Sequence, residues 1–214
     1  SWTFRKAPKF FDVVTYTGTG TAQTIAHNLR TTVGWLLIKR TDSTGSWFNY
    51  HHGLSKTGDP QALILNETGT AFTANASLWN LTYPTSTHFT VGDNSSVNAS
   101  GATYVAYLFA HNDGDGEFGP DGDQDIIKCG SYTGTGSLRS VDIGFEPQWV
   151  IVKRASGTGY WYLYDTMRGM PVGQNNRGLT ANTPNSEGES RKFYPNANGF
   201  TIDETNPEIN GGGH

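Results

Sequence analysis

Apolar and polar residues alternate in short runs along this chain, and the runs are strand-length. Residues 11–17 (FDVVTYT) are β-branched and aromatic and predict a strand, followed by a turn at Gly18-Thr19-Gly20. Residues 34–40 (GWLLIKR) are apolar at successive positions and predict a central strand covered on both faces. A turn at Asp42–Gly45 leads into 46–51 (SWFNYH), where Trp47, Asn49 and His51 share one face and Phe48 and Tyr50 the other. Shorter strands are predicted at 62–66 (ALILN) and 88–92 (HFTVG). The strongest is 102–111 (ATYVAYLFAH), whose length and apolar character predict another central place. Helix periodicity is nearly absent; the best candidate, Asp165–Gly169, is one turn at most.

The same order then recurs. Y-T-G-T-G at 16–20 returns at 132–136. Trp35, Lys39, Arg40, Trp47 and Tyr50 return as Trp149, Lys153, Arg154, Trp161 and Tyr164, each 114 positions on. RGLTAN (177–182) stands where ALILN stood, GFTIDE (199–204) where HFTVGD stood, and Asn206–Gly213 where Asn94–Gly101 stood. A shared order of turns and strands reads as a duplication. The expected fold is therefore all-β: two tandem, repeated antiparallel β-sandwiches of jelly-roll type with almost no helix. The first spans residues 1–111, an acidic Gly-rich linker spans 112–124, and the second spans 125–214.

The second copy lacks a counterpart of 102–111. Trp2–Lys6 (WTFRK) resembles the end of that strand, so residues 1–10 read as the closing strand of an upstream repeat or of the second copy itself. The reading adopted is a window cut from a longer array. In every case an uncovered sheet edge is a pairing hazard, so something is expected to occupy it.

Composition agrees with a turn-rich β protein. Among 214 residues there are 27 glycines, and only 16% of residues are charged. Net charge is −4, and no basic cluster exceeds a pair, so no nucleic-acid surface is indicated. No apolar run is long enough for a membrane-spanning helix. Cys129 is the single cysteine, read as a small core side chain.

Candidate chemistry is sparse. Asp113, Asp115, Glu117, Asp121, Asp123 and Asp125 alternate with glycines, and such carboxylates could converge on Ca²⁺; Asp113, Asp115, Asp121 and Asp123 are the candidate ligands. The run is not an EF-hand loop, because no Gly stands at the sixth place and no Glu at the twelfth. Catalytic carboxylates of a glycan hydrolase need rigid supports, which a Gly-rich linker does not offer. The histidines show no metal or catalytic spacing. Trp47, Tyr50, Trp161 and Tyr164 lie on hairpins, where exposed aromatics could stack on sugar rings. No catalytic residue and no other cofactor is expected.

The motifs WTFRKAPKFFDVVTYTGTG, IKRTDSTG, ATYVAYLFAH and IIKCGSYTGTG together resemble a known family. It is a repeated domain of undefined biochemical function in tail-fibre-like and other virion proteins of tailed phages, many of them marine or cyanobacterial. The resemblance implies an extracellular place on the virion surface and a role in building or tipping an appendage. It also implies partners among copies of itself, as a trimer, or among other virion proteins, and it names no ligand; a host-surface glycan is the expected ligand of exposed aromatics alone. The family assigns no catalytic residues, so a non-enzyme is expected. Its second copy normally continues into a final strand, which this chain lacks. The alternatives are a secreted carbohydrate-binding module and a fragment of a glycan depolymerase.

Overall fold

The computed structural model of the chain describes residues 2–54 and 58–213, except the side chains of 189 and 190. Fifteen short strands and two single-turn helices follow one another as β1 (Phe11–Thr17), β2 (Gln23–Ala26), β3 (Val33–Arg40), β4 (Phe48–His51), β5 (Gln61–Ile64), β6 (Phe72–Thr73), α1 (Ala76–Trp79), β7 (His88–Val91), α2 (Ser95–Asn98), β8 (Thr103–Ala110), β9 (Arg139–Asp142), β10 (Trp149–Lys153), β11 (Trp161–Asp165), β12 (Asn176–Thr180), β13 (Glu189–Arg191), β14 (Phe193–Asn196) and β15 (Gly199–Ile202). All pairing is antiparallel, as the hairpin-rich pattern demands. They form two compact units. One holds the described residues of Ser1–Ile64 and Ala71–Ser131, the other those of Leu65–Thr70 and Tyr132–His214.

In the first unit, six strands pair in the order β1-β8-β3-β4-β5-β6, and β2 pairs with β7 separately. The two apolar runs lie side by side at the centre: β8 pairs along β1 on one edge and along β3 on the other. Their inward residues, Leu36, Ile38, Tyr104, Ala106 and Leu108, are almost wholly buried. Ile25 of β2, Phe89 and Val91 of β7, Leu78 and Trp79 of α1 and Val97 of α2 close that core from the opposite layer. The other face of the sheet carries an aromatic cluster, with Phe4, Phe11 and Trp35 ringed around Phe109 at centroid distances of 5.5, 4.8 and 5.3 Å. Trp2–Lys6 is therefore part of the first unit and forms no strand. Phe4 anchors it there and Lys6 pairs with buried Asp12.

The two short helices were not legible as helices. Each is capped by an asparagine whose side chain accepts a backbone N–H: Asn75 from Ser77 and Asn94 from Ser96. In the sequence these stretches read as turn. The stretch Asp165–Gly169 is a turn and not a helix.

The second unit has two sheets, β10-β11-β12-β13 and β14-β15-β9, packed over Val152, Tyr162, Tyr164, Phe193, Phe200 and Ile202. Tyr164, Phe193 and Phe200 stack in a row at 4.6 and 4.8 Å. Some pairings match between the units. β9 and β15 pair as β2 and β7 do, with Val141 opposite Phe200 where Ile25 is opposite Phe89. Among the described residues, no strand takes the place of β8, and Tyr132 lies in an irregular segment where Tyr16 lies in β1.

The repeated Y-T-G-T-G is more than a pair of hairpin turns. In the first unit the buried Asn98 carboxamide fills all four of its hydrogen-bonding places. It accepts from Thr19 N (2.9 Å) and Gln23 Nε2 (2.7 Å), and donates to Thr21 O (2.7 Å) and Gly92 O (2.5 Å). In the second unit Asn210 accepts from Thr135 N (3.0 Å) and donates to Ser137 O (2.7 Å) and Glu204 O (2.8 Å). Tyr16 Oη donates to Val97 O and Tyr132 Oη to Ile209 O, both at 2.6 Å. Burial raises both phenol pKa values far above their ordinary range, so both donate at any physiological pH. Glycine is obligatory at the first turn position. A Cβ on Gly18 would lie 2.1 Å from Ala99 O, and one on Gly134 2.2 Å from Gly211 O.

The acidic stretch is folded and is not a flexible linker. Phe118 and Gln124 exchange backbone hydrogen bonds, Asp125 accepts from Gly114 N and Gly116 N, and Asn112 Oδ1 accepts from Ile126 N and Ile127 N. It belongs to the first unit, which continues to Ser131.

Asn98→Ala removes the partner of Thr19 N, Gln23 Nε2 and the Thr21 and Gly92 carbonyls at a partly buried site, and is expected to cost about 1–3 kcal/mol. Asn210→Ala is expected to cost a similar amount in the second unit. Urea unfolding monitored by hydrogen exchange in each unit measures both. A loss under ~0.5 kcal/mol at either site would contradict the role given to the lock.

Candidate functional site

The aromatic residues singled out from the hairpins do not form a platform. Tyr50, Trp161 and Tyr164 are buried, with relative exposures of 5%, 3% and 0%, and offer no ring face to a sugar. Tyr50 packs into the first core and against Tyr83, and Tyr164 stacks on Phe193. Trp47 alone is partly exposed, and its ring stacks on Tyr107 at 6.2 Å. Trp161 and Tyr164 lie on opposite faces of β11 and both faces are covered, which alternation does not reveal when both faces carry aromatics.

The acidic turn does not gather its carboxylates. Asp113 pairs with Lys128, while Asp115 accepts from Thr31 Oγ1 (2.6 Å) and lies beside Lys9. Lys128 holds the Asp113 carboxyl below its ordinary pKa, and the Thr31 hydrogen bond does the same for Asp115. Asp121 and Asp123 are exposed at the tip. Among the described residues, no group of three or more His, Cys, Asp or Glu side chains could hold a metal ion. Protein donors fill the places that Ca²⁺ would take.

Two arrangements escaped the sequence because their parts lie far apart along it. The first is a shallow groove of about 550 Å³ in the first unit, lined by Gly20, Thr21, Ala22, Asn75, Ala76 and Asn80 among others, with more apolar than polar surface. The Y-T-G-T-G turn forms one wall, and helix α1 and the end of β7 form the other. Asn80 adopts the left-handed conformation (φ 48°) at the end of α1. Asn75 and Ser77 bond each other there and Thr21 bonds Thr19, which leaves Asn80 and Asp93 as its polar side chains without a side-chain hydrogen bond among the described residues.

The second is a histidine cluster at the ends of β4 and β8. His52 and His111 stack at 4.3 Å, and His51 lies beside them. His51 Nδ1 accepts from Gly53 N (3.0 Å) and His111 Nδ1 from Cys129 N (3.1 Å). His27, elsewhere in the unit, accepts from Leu29 N through Nδ1 in the same way (3.2 Å). A ring nitrogen that accepts a backbone N–H cannot also carry a proton. Burial, then the neighbouring His52 and His111, push His51 down to about 4. The Cys129 thiol, which donates to Ala110 O, is pushed up to about 12 by burial and is not a nucleophile at neutral pH.

The pKa depression of His51 sets a sign. Its neutral form belongs to the folded state, so its contribution is complete above ~6.5 and is lost as pH falls toward 4. The expected loss is on the order of 2 kcal/mol, read by urea unfolding at pH 7 and pH 4.5. An NMR titration placing His51 near 6.5 would contradict it.

No curated protein and no solved structure matches the chain. A family model described as "Domain of unknown function (DUF7483)" matches residues 6–214, and the chain belongs to that family.

Proposed function

We propose that the chain is a non-catalytic structural or receptor-binding module of a phage virion appendage, working as part of a homo-oligomer. One observation supports the non-catalytic half of this reading: among the described residues, the carboxylates, histidines and thiol singled out above are largely held by the fold. Asp113 and Asp115 are held by Lys128 and Thr31, His51 and His111 accept backbone N–H groups, and the Cys129 thiol is buried. A catalytic constellation needs a nucleophile or base poised toward a cleft. Here such groups point into turns and strand ends. The virion place rests on the motifs quoted above and their resemblance to tail-fibre-like proteins. Short-loop β units with low charge suit a load-bearing appendage.

A second reading, a carbohydrate-binding module, is favoured by the shallow groove of the first unit and not by an aromatic platform. The two are compatible if the appendage contacts a glycan receptor.

Mass spectrometry of purified particles from a phage encoding the chain, together with light scattering of the isolated protein, tests the first reading. The protein is expected among the virion components and as an oligomer. Absence from particles and a monomer at all concentrations would overturn it. For the second reading, Asn80→Ala with Asp93→Ala is expected to lower glycan-array binding at least tenfold. A silent array with the parent protein removes that reading.

A further inference from the structure

Two Asn-Gly pairs occur in the chain, Asn198-Gly199 and Asn210-Gly211. Glycine has no Cβ to shield its backbone nitrogen from the carboxamide before it, so asparagine in such a pair is chemically labile. The fold treats the two pairs oppositely. Asn210 is 1% exposed, and its carboxamide accepts from Thr135 N and donates to Ser137 O and Glu204 O. Turning that carboxamide toward Gly211 N would break all three bonds. Asn198 lies in the two-residue turn between β14 and β15, which the pair Asn196 and Gly199 closes. It is exposed, and its carboxamide has no hydrogen bond among the described residues.

The surroundings of Asn198 fix its main chain and leave its side chain in solvent. Asn198 N donates to Asn196 Oδ1 (3.1 Å). Asn198 O accepts from Ile143 N (2.8 Å) and Gly144 N (3.0 Å), which ties the turn to the end of β9. Gly144 N also donates to Asp142 Oδ1 (2.9 Å). A Cβ on Gly199 would lie 2.0 Å from Val141 O, so packing against β9 requires glycine there. The residue that this packing demands is the one that leaves the Asn198 carboxamide within reach of an unshielded nitrogen.

We propose that Asn198 is a site of spontaneous modification, converted through a cyclic succinimide to aspartate and isoaspartate, and that Asn210 is spared. A base in solvent removes the Gly199 N–H proton. The nitrogen attacks Asn198 Cγ, a C–N bond forms, and the amide nitrogen leaves as ammonia. Water then opens the ring, and no oxidant or reductant takes part. Opening at Cγ gives aspartate on an unchanged main chain. Opening at the main-chain carbonyl gives isoaspartate, whose chain runs through Cβ and Cγ. Either product adds a negative charge near Asp142. Isoaspartate also lengthens the backbone by one carbon and displaces the carbonyl that holds Ile143 N and Gly144 N. This inference is independent of where the protein resides.

The test is incubation of the whole chain at mildly alkaline pH, followed by peptide mapping with mass spectrometry that separates aspartate from isoaspartate. Conversion at Asn198 is expected to run at least tenfold faster than at Asn210. In concentrated urea, where both carboxamides are released, the two rates are expected to come within about threefold of each other. Asn198→Gln is expected to abolish the modification at 198 and to leave the rate at Asn210 unchanged. Hydrogen exchange of the isoaspartate fraction is expected to show lost protection at Ile143 and Gly144. No conversion at Asn198, equal rates in the folded chain, or faster conversion at Asn210 would each overturn the proposal. So would a tenfold difference that persists in urea, because local sequence and not the fold would then set it.

Discussion

One buried carboxamide per unit holds together segments that no strand ladder could join. Asn98 ties the Y-T-G-T-G turn to the end of β7, and Asn210 ties its copy to Glu204 at the end of β15. Irregular backbone can be buried only if its N–H and C=O groups find partners. A side chain with two donors and an acceptor oxygen supplies them at a point where the chain leaves its sheets. The tyrosine that opens the motif and the glycine within it follow from the same constraint. One reaches the carbonyl beside the asparagine; the other leaves room for the asparagine turn to lie on the backbone.

The lock is shared by both units, but the sheets built on it differ. β8 gives the first unit a six-stranded sheet with both faces covered. The second unit keeps the lock and a smaller core of stacked aromatics, with its apolar β10 on a rim. Each core therefore leans on a different contact: β8 against β3 in one, the row Tyr164–Phe193–Phe200 in the other.

Groups that looked chemical in isolation turn out to hold the fold. The carboxylates of the acidic stretch cap its turns, and the histidines act as acceptors for backbone N–H groups. The groove beside the Y-T-G-T-G turn mixes alanine and glycine surface with Asn80 and Asp93. Such a surface suits recognition better than bond-making.

The main strands β1, β3, β4, β5, β7, β8, β10, β11, β12 and β15 and the correspondence of Asn94–Gly101 with Asn206–Gly213 were legible in the sequence. Alternation and turn residues are local signals, and a repeated motif advertises a repeated local structure. Other features belonged to the tertiary structure. Which face of SWFNYH and YWYLYD turns inward is set by the opposing layer, so the buried fate of Tyr50, Trp161 and Tyr164 could not be read from alternation. Trp2–Lys6 settled in the first unit because Phe4 meets Phe10, Phe11 and Phe109 there. The acidic stretch became a turn because Asn112 and Asp125 clasp its two ends. The histidine cluster and the groove join residues tens of positions apart, and only the pairing of the strands brings them together.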